Sequence, residues 1–326
     1  MHPELAPRLL DQRTLGRLIS LAELDPGLVL DDFGTPAALA ALAEAEVIVS
    51  SWGCPPIDAA VLAAAPRLRA VLHAAGSVKH HVTDACWQRG IQVTSAAWAN
   101  ALPVAEYTVA AILFANKQVL RISSEYRQQR GRRDWQHAHP EMGNYRKTVG
   151  IVGASQIGRR VLDLLRPYDF ELLLHDPYVT PEQTQALGAR AVSLGELCTL
   201  SDLVSVHVPE LPTTRHLMSR QMLGLMPDGA TLVNTSRGSL IDQDALVEEL
   251  VSGRLSAVLD VTTPEVLPAD SPLYELPNVL LTPHLAGSLG NELHRMAAAA
   301  ADELARFAAG LPFAHPVLPE AIHQTA

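Results

Sequence analysis

Cysteine is scarce in this 326-residue chain. Cys54, Cys86 and Cys198 are odd in number, far apart and without CxxC spacing, which excludes a disulfide framework and a zinc site. They read as reduced thiols, and no metal is expected. Positive charge is also short: 25 Lys and Arg face 35 Asp and Glu, a formal net charge of -10. Nucleic-acid affinity comes largely from neutralising phosphates, so no nucleic-acid partner is expected and a small molecule is the better ligand. No uninterrupted apolar run approaches ~18 residues, and the start, MHPELAPRLL, has no basic segment leading into an apolar one. We therefore expect no membrane span, no export signal and a cytoplasmic location. Charged residues are few as well, 18% against 48% apolar, which excludes disorder and leaves ample material for packed interiors.

That material is arranged as short apolar runs alternating with helix-like segments, the pattern of α/β proteins with parallel sheets. The length suits two domains, with a cleft between them. In the first hundred residues the expected strands are GLVLDD, AEVIVS, LRAVLH and GIQVTS. No clear strand precedes Leu18. A long helix is expected over NALPVAEYTVAAILFANKQVLRI, with Pro103 suited to its first turn, followed by a polar, basic arm that reads either as solvated or as a binding patch. A second series of strands is KTVGIVG, ELLLHD, LVSVHV, ATLVNTS, SAVLD and NVLLTP. An Ala-rich helix, roughly ELHRMAAAAADELARFAAG, ends at Gly310.

The second series carries VGIVGASQIGRRV. A dinucleotide-binding turn has the form G-x-G-x-x-G after a strand; here Gly153 and Gly158 fill the outer positions and Ser155 stands in the middle. Serine is small, and with a negative φ it would admit a diphosphate somewhat less closely while its hydroxyl offers another donor. The turn follows a β-branched strand, opens an amphipathic helix, and precedes a strand ending in Asp176. A carboxylate there accepts hydrogen bonds from a ribose and repels a 2'-phosphate, which favours NAD over NADP. An ordinary βαβ turn is the alternative.

Beyond it, Arg237, Glu265 and His284 each follow a strand end, where parallel sheets place ligands. Singly, the arginine reads more readily as a surface or ion-pair residue and the histidine as structural or solvated. Together they are what ketone reduction needs: a cation to polarise a carbonyl and an imidazole held protonated by a carboxylate.

From about Val47 to Gly310 the chain resembles the D-isomer-specific 2-hydroxyacid dehydrogenases. The resemblance lies in GIVGASQIGRRV with HDPY, in SDLVSVHVPELPTTRHLMSRQMLGLMPDGATLVNTSRGSLID, and in LDVTTPEVLPADSPLYELPNVLLTPHLAGS. It implies two doubly wound parallel-sheet domains: a Rossmann NAD-binding domain over 101–284 and a flavodoxin-like substrate domain over 1–100, completed by 285–326. It implies that Arg237 binds substrate, that His284 exchanges the proton and that Glu265 pairs with it. Cofactor contacts would fall on Gly153, Ser155, Gln156, Ile157, Gly158, Asp176, His207, Pro209, Thr214, Thr235, Ser236, Asp260 and Gly287, with Asp260 at the carboxamide. Substrate contacts would fall on Gly76, Ser77, Val78 and Asn100. The family's activity would be hydride transfer between NAD and C2 of a small 2-hydroxy or 2-keto acid, in a homodimer built on about Pro103 to Arg146. Phosphite or another small anion as substrate, and a non-catalytic NAD-sensing regulator, are the alternatives. The chain departs from the family at Ser155, at Val266 in place of a proline, and in its missing opening strand. Lys79, His80 and His81 read either as a second anion site or as a solvated turn.

Overall fold

Apolar runs of four or five residues, rich in Val, Ile and Leu, form most of the strands, and among the described residues all strand-to-strand pairings within the two sheets run parallel. The computed structural model describes residues 1–322. By its contacts the chain divides into two units: Met1–Asn100 together with the segment from Ser288, and Ala101–Gly287.

The first unit holds a three-stranded sheet of β1 (Val47–Ser50), β2 (Ala70–His73) and β3 (Gln92–Ser95), in that order. GLVLDD, expected as a strand, joins no sheet among the described residues. Its flanks are turned by Asp25 and Asp32, whose carboxylates accept from the Gly27 and Gly34 amides, and the Leu30 carbonyl accepts from the amino terminus. Local side-chain hydrogen bonds of this kind compete with a sheet ladder. The helix Leu293–Ala308 packs on β2, β3 and the helix Gln12–Leu21, burying Leu293, Met296, Ala300 and Leu304 in one core with Leu72 and Leu18. It stops at Gly310, where φ is +67°.

The second unit is a seven-stranded sheet. Its strands are β4 (Thr148–Val152), β5 (Glu171–His175), β6 (Arg190–Ala191), β7 (Leu203–Val206), β8 (Thr231–Asn234), β9 (Ser256–Leu259) and β10 (Val279–Leu281), in the spatial order β10-β9-β8-β7-β4-β5-β6. The order reverses between β4 and β7, the topological switch at which open α/β sheets bind ligands outside their carboxyl ends. Both faces are covered, with Val149, Ile151 and Leu174 on one core and Val152, Leu173 and Val206 on the other.

The long helix starts earlier than expected, at Ala97, and runs to Asn116. Pro103 therefore lies inside it rather than in its first turn. It is the one described helix long and apolar enough to cross a membrane, but Ala105, Val109 and Ile112 are buried in the core beside β4. Gln118, at φ +50°, breaks the chain before a second helix, Val119–Gln129. In the basic arm, Arg121, Arg133 and His139 all converge on Glu125.

Candidate active site

Gly153, one residue past β4, has φ +99°. A side chain at Gly158 would place its Cβ 2.0 Å from the Gly153 carbonyl oxygen, so only glycine lets this helix start against the strand. Ser155 is the N-cap of the helix Gln156–Leu165, with φ -63°, and its hydroxyl accepts from the Gly158 amide at 3.3 Å. The serine is thus a helix cap in an unstrained conformation. The Gln156 and Ile157 amides, in the first helical turn, have no intrahelical acceptor, and they lie at the positive end of the helix dipole. Asp176, one residue past β5, accepts from the Ala154 amide at 2.7 Å and the Tyr178 amide at 2.8 Å. Its carboxylate is fixed at the turn and keeps lone pairs for a further donor.

Other expected contacts cluster past β7 and β8. The His207 ring is buried and bonds Ser205 Oγ through Nε2 at 2.8 Å. Its bulk lies under the glycine turn, where a Cβ on Gly158 would come within 3.3 Å of His207 Cβ. Thr214 donates to the Pro209 carbonyl at 2.7 Å, Thr235 meets Thr108 at 2.9 Å, and Ser236 donates to the Val206 carbonyl at 2.7 Å.

The three candidate catalytic side chains leave adjacent strands. Asn234, Leu259 and Leu281 sit side by side in register at the ends of β8, β9 and β10. Arg237 follows the first by three residues. One of its nitrogens donates to the Ser236 carbonyl at 2.6 Å and its own carbonyl accepts from Asn234 Nδ2. Gly238 lets this turn lie against the next strand's exit, since a Cβ there would stand 2.2 Å from the Thr262 carbonyl. On that exit, Gln243 exchanges two hydrogen bonds with the Thr263 backbone, and Thr262 Oγ1 donates to the Pro264 and Glu265 carbonyls. So held, Glu265 Oε1 lies 2.5 Å from His284 Nδ1. Nδ1 carries the shared proton and leaves Nε2 as the atom that can exchange one with a ligand.

His284 adopts φ +53°, a left-handed conformation that costs a non-glycine residue of order 1–3 kcal/mol unless the surroundings impose it. Here Asp260 imposes it. Its backbone carbonyl accepts from the His284 amide at 2.9 Å, and its buried carboxylate accepts from the Leu285 and Ala286 amides and from Thr282 Oγ1. Three acceptor positions are filled and about one remains open. Gly287 follows, half-buried. Two partners escaped sequence reasoning. Tyr107 hydroxyl contacts Thr282 Oγ1 at 2.9 Å; the available signal was a lone phenol on a largely apolar helix.

In the first unit, Gly76, Ser77 and Val78 form a loop after β2. Ser77 Oγ accepts from the Lys79 amide at 3.4 Å, Val78 is buried, and Asn100 Oδ1 accepts from the Ser288 amide at 2.8 Å. Asn100 Nδ2 would lie 3.8 Å from a Cβ on Gly76. His80 is exposed, but His81 is not part of a solvated or anion-binding turn. It is buried, its ring 4.3 Å from that of His73, with Ser50 Oγ bridging the two at 3.0 and 3.2 Å. Burial pushes His73 down to about 3 and His81 down to about 4. Both are neutral when folded and take up protons below ~6.5 once unfolded. Their contribution to stability is complete above that pH and lost as pH falls toward 4. The unfolding free energy, and with it the urea midpoint, is expected to fall as pH drops from about 6.5 toward 5, the slope in free energy approaching about 1.4 kcal/mol per pH unit for each histidine. A flat midpoint across that window would contradict the buried neutral pair.

Residues 109–286 match the family model described as D-isomer specific 2-hydroxyacid dehydrogenase, NAD binding domain. The chain is 35% identical over 251 residues to a D-3-phosphoglycerate dehydrogenase of Mycobacterium bovis, covering 77% of this chain and 47% of that protein. It spans about half the length of the curated relatives of this kind. A glyoxylate reductase of Korarchaeum cryptofilum is 35% identical over 260 residues, covering 78% of this chain and 77% of that one. Among solved structures, the D-mandelate dehydrogenase of Rhodotorula graminis superposes with a TM-score of 0.79 at 26% identity, over 96% of this chain and 95% of that one.

Proposed function

The chain belongs to the D-isomer specific 2-hydroxyacid dehydrogenase family, and from that premise we propose that it interconverts a small 2-keto acid and its D-2-hydroxy acid with NAD. The observation that carries this reading is the Glu265–His284 pair at 2.5 Å, set beside Arg237 on adjacent strand ends. The glycine turn, the free first-turn amides and Asp176 fit a dinucleotide with an unphosphorylated ribose, held by Gly153, Ser155, Gln156, Ile157, Gly158 and Asp176. When bound, that cofactor supplies the hydride that reduces C2 or accepts it in the reverse direction.

The chain's own residues do the rest. Arg237 spends one nitrogen on the Ser236 carbonyl and keeps the remainder of its fork for the substrate carboxylate and carbonyl. Protonated His284 gives its Nε2 proton to the carbonyl oxygen as that oxygen gains negative charge. In oxidation, neutral His284 takes the hydroxyl proton at the same nitrogen. Glu265 accepts from Nδ1–H and so fixes the ring's orientation and the tautomer that presents Nε2. The Gly76–Val78 backbone and Asn100 belong to the substrate side of this reading. Glyoxylate, the substrate in the name of the relative matched over most of its length, is the first to assay by NADH loss, followed by hydroxypyruvate, pyruvate and branched keto acids.

The decisive experiment is Glu265→Ala with turnover followed in both directions. Removing the acceptor of the Nδ1 hydrogen bond frees the ring's orientation and tautomer, so kcat should fall for keto-acid reduction and hydroxy-acid oxidation alike, with NADH Kd within twofold. Unchanged kcat in either direction would sink the acid–base assignment.

A further inference from the structure

We propose that Tyr107 and Thr282 are positioning residues for the proton-transfer histidine, acting through Asp260 on the loop that carries it. The inference rests on the acid–base role of His284 given above, but its geometry does not.

Asp260 is 1% exposed. A buried carboxylate is tolerated only when donors satisfy it, and being acceptor-only it fixes the direction of every bond it makes. Thr282 Oγ1 therefore donates to Asp260 Oδ1, at 2.7 Å, with its single proton. The contact between Thr282 Oγ1 and the Tyr107 hydroxyl, 2.9 Å, can then run only one way, with the phenol donating. Burial raises the proton affinity of that phenol and keeps it a donor. The chain is Tyr107 O–H to Thr282 O–H to Asp260, and each proton is spoken for.

The acceptor at its end is the group that shapes the loop. Oδ1 also takes the Leu285 amide at 2.8 Å, Oδ2 takes the Ala286 amide at 2.9 Å, and the Asp260 carbonyl takes the His284 amide. His284 is held at φ +53° between these fixed points. Tyr107 reaches them from the helix Ala97–Asn116, whose Thr108 also bonds Thr235 past β8. A rigid core helix thus bears on the exits of two active-site strands. Losing the phenol leaves Thr282 without the partner that orients its lone pairs, and loosens the carboxylate on which the two amides rest.

The test compares Tyr107→Phe, Thr282→Val and Thr282→Ser with the parent chain, by hydrogen–deuterium exchange over residues 280–290 without substrate and by steady-state kinetics. Tyr107→Phe should speed exchange at Leu285 and Ala286. It should lower kcat by about threefold to tenfold, the worth of one net hydrogen bond, with keto-acid KM and NADH Kd within twofold. Thr282→Val should do the same more strongly, and Thr282→Ser, which keeps the hydroxyl, should restore both readouts. Unchanged exchange in Tyr107→Phe and Thr282→Val overturns the proposal, as does a defect that Thr282→Ser shares in full. If the parent chain reduced no 2-keto acid, the proposed activity would fall, while the exchange data would still decide whether this chain holds the loop.

Discussion

His284→Ala is expected to lower turnover of a 2-keto acid by about 10² to 10⁴, as for the removal of a general acid, while NADH Kd stays within twofold. The reasoning starts from its place on the sheet. The ring stands at the exit of β10, away from the turn after β4 that would hold the diphosphate, so cofactor affinity has no reason to follow it. The left-handed backbone introduces a complication that a second variant removes. Alanine at φ +53° is strained, and a loss of activity from loop rearrangement would resemble a loss of the acid. Asparagine tolerates that conformation better and offers an amide that cannot give up a proton at neutral pH. His284→Asn should therefore show the same loss with the loop intact. Near-normal turnover in either variant would refute the assignment of the proton to this ring, and normal activity in His284→Asn alone would show that the backbone conformation was what mattered.

How far the sequence reveals this site depends on how local each signal is. The six strands of the second sheet that were expected are present because each is an apolar run, buried on two faces in most of them and half-buried in β10 at the sheet edge. β6 escaped because it is two exposed residues, Arg190 and Ala191, with no run to read. GLVLDD misled for the opposite reason: its apolar residues look like a strand, but strand formation needs a partner, and asparagine-like turns at Asp25 and Asp32 answered its flanking amides first. Pro103 suggested a helix start, although the helix had already begun at Ala97. The residues proposed to act from strand ends, such as Asp176, Arg237 and Glu265, announce themselves by following apolar runs. Tyr107 does not, because its meaning depends on Thr282, 175 positions away. His81 likewise read as part of a polar triplet, and only the fold lays it against His73 and Ser50. Chemistry carried by one segment is legible; chemistry made by two is not.

Arg237→Ala is expected to reduce kcat/KM for the keto acid by about 10² to 10³, the usual cost of deleting a donor aimed at developing negative charge. The side chain's surroundings say why substitution by another cation will not suffice. One nitrogen is committed to the Ser236 carbonyl at 2.6 Å, which sets the plane of the guanidinium; the turn behind it is fixed by Asn234 Nδ2 and by the close approach of Gly238 to Thr262. A planar fork so anchored can meet a carboxylate and a carbonyl oxygen together. The lysine ammonium is a point charge on a flexible stem and keeps the attraction without the orientation. Arg237→Lys should thus recover only part of the loss, chiefly in KM, with kcat still depressed, because the orienting bonds strengthen as the oxygen becomes an alkoxide. NADH Kd should be unchanged in both variants. If Arg237→Lys matched the parent enzyme in kcat, the charge alone would be sufficient and the anchored fork would have no part in polarising the carbonyl; if Arg237→Ala stayed within threefold in kcat/KM, the substrate would be bound by other groups altogether.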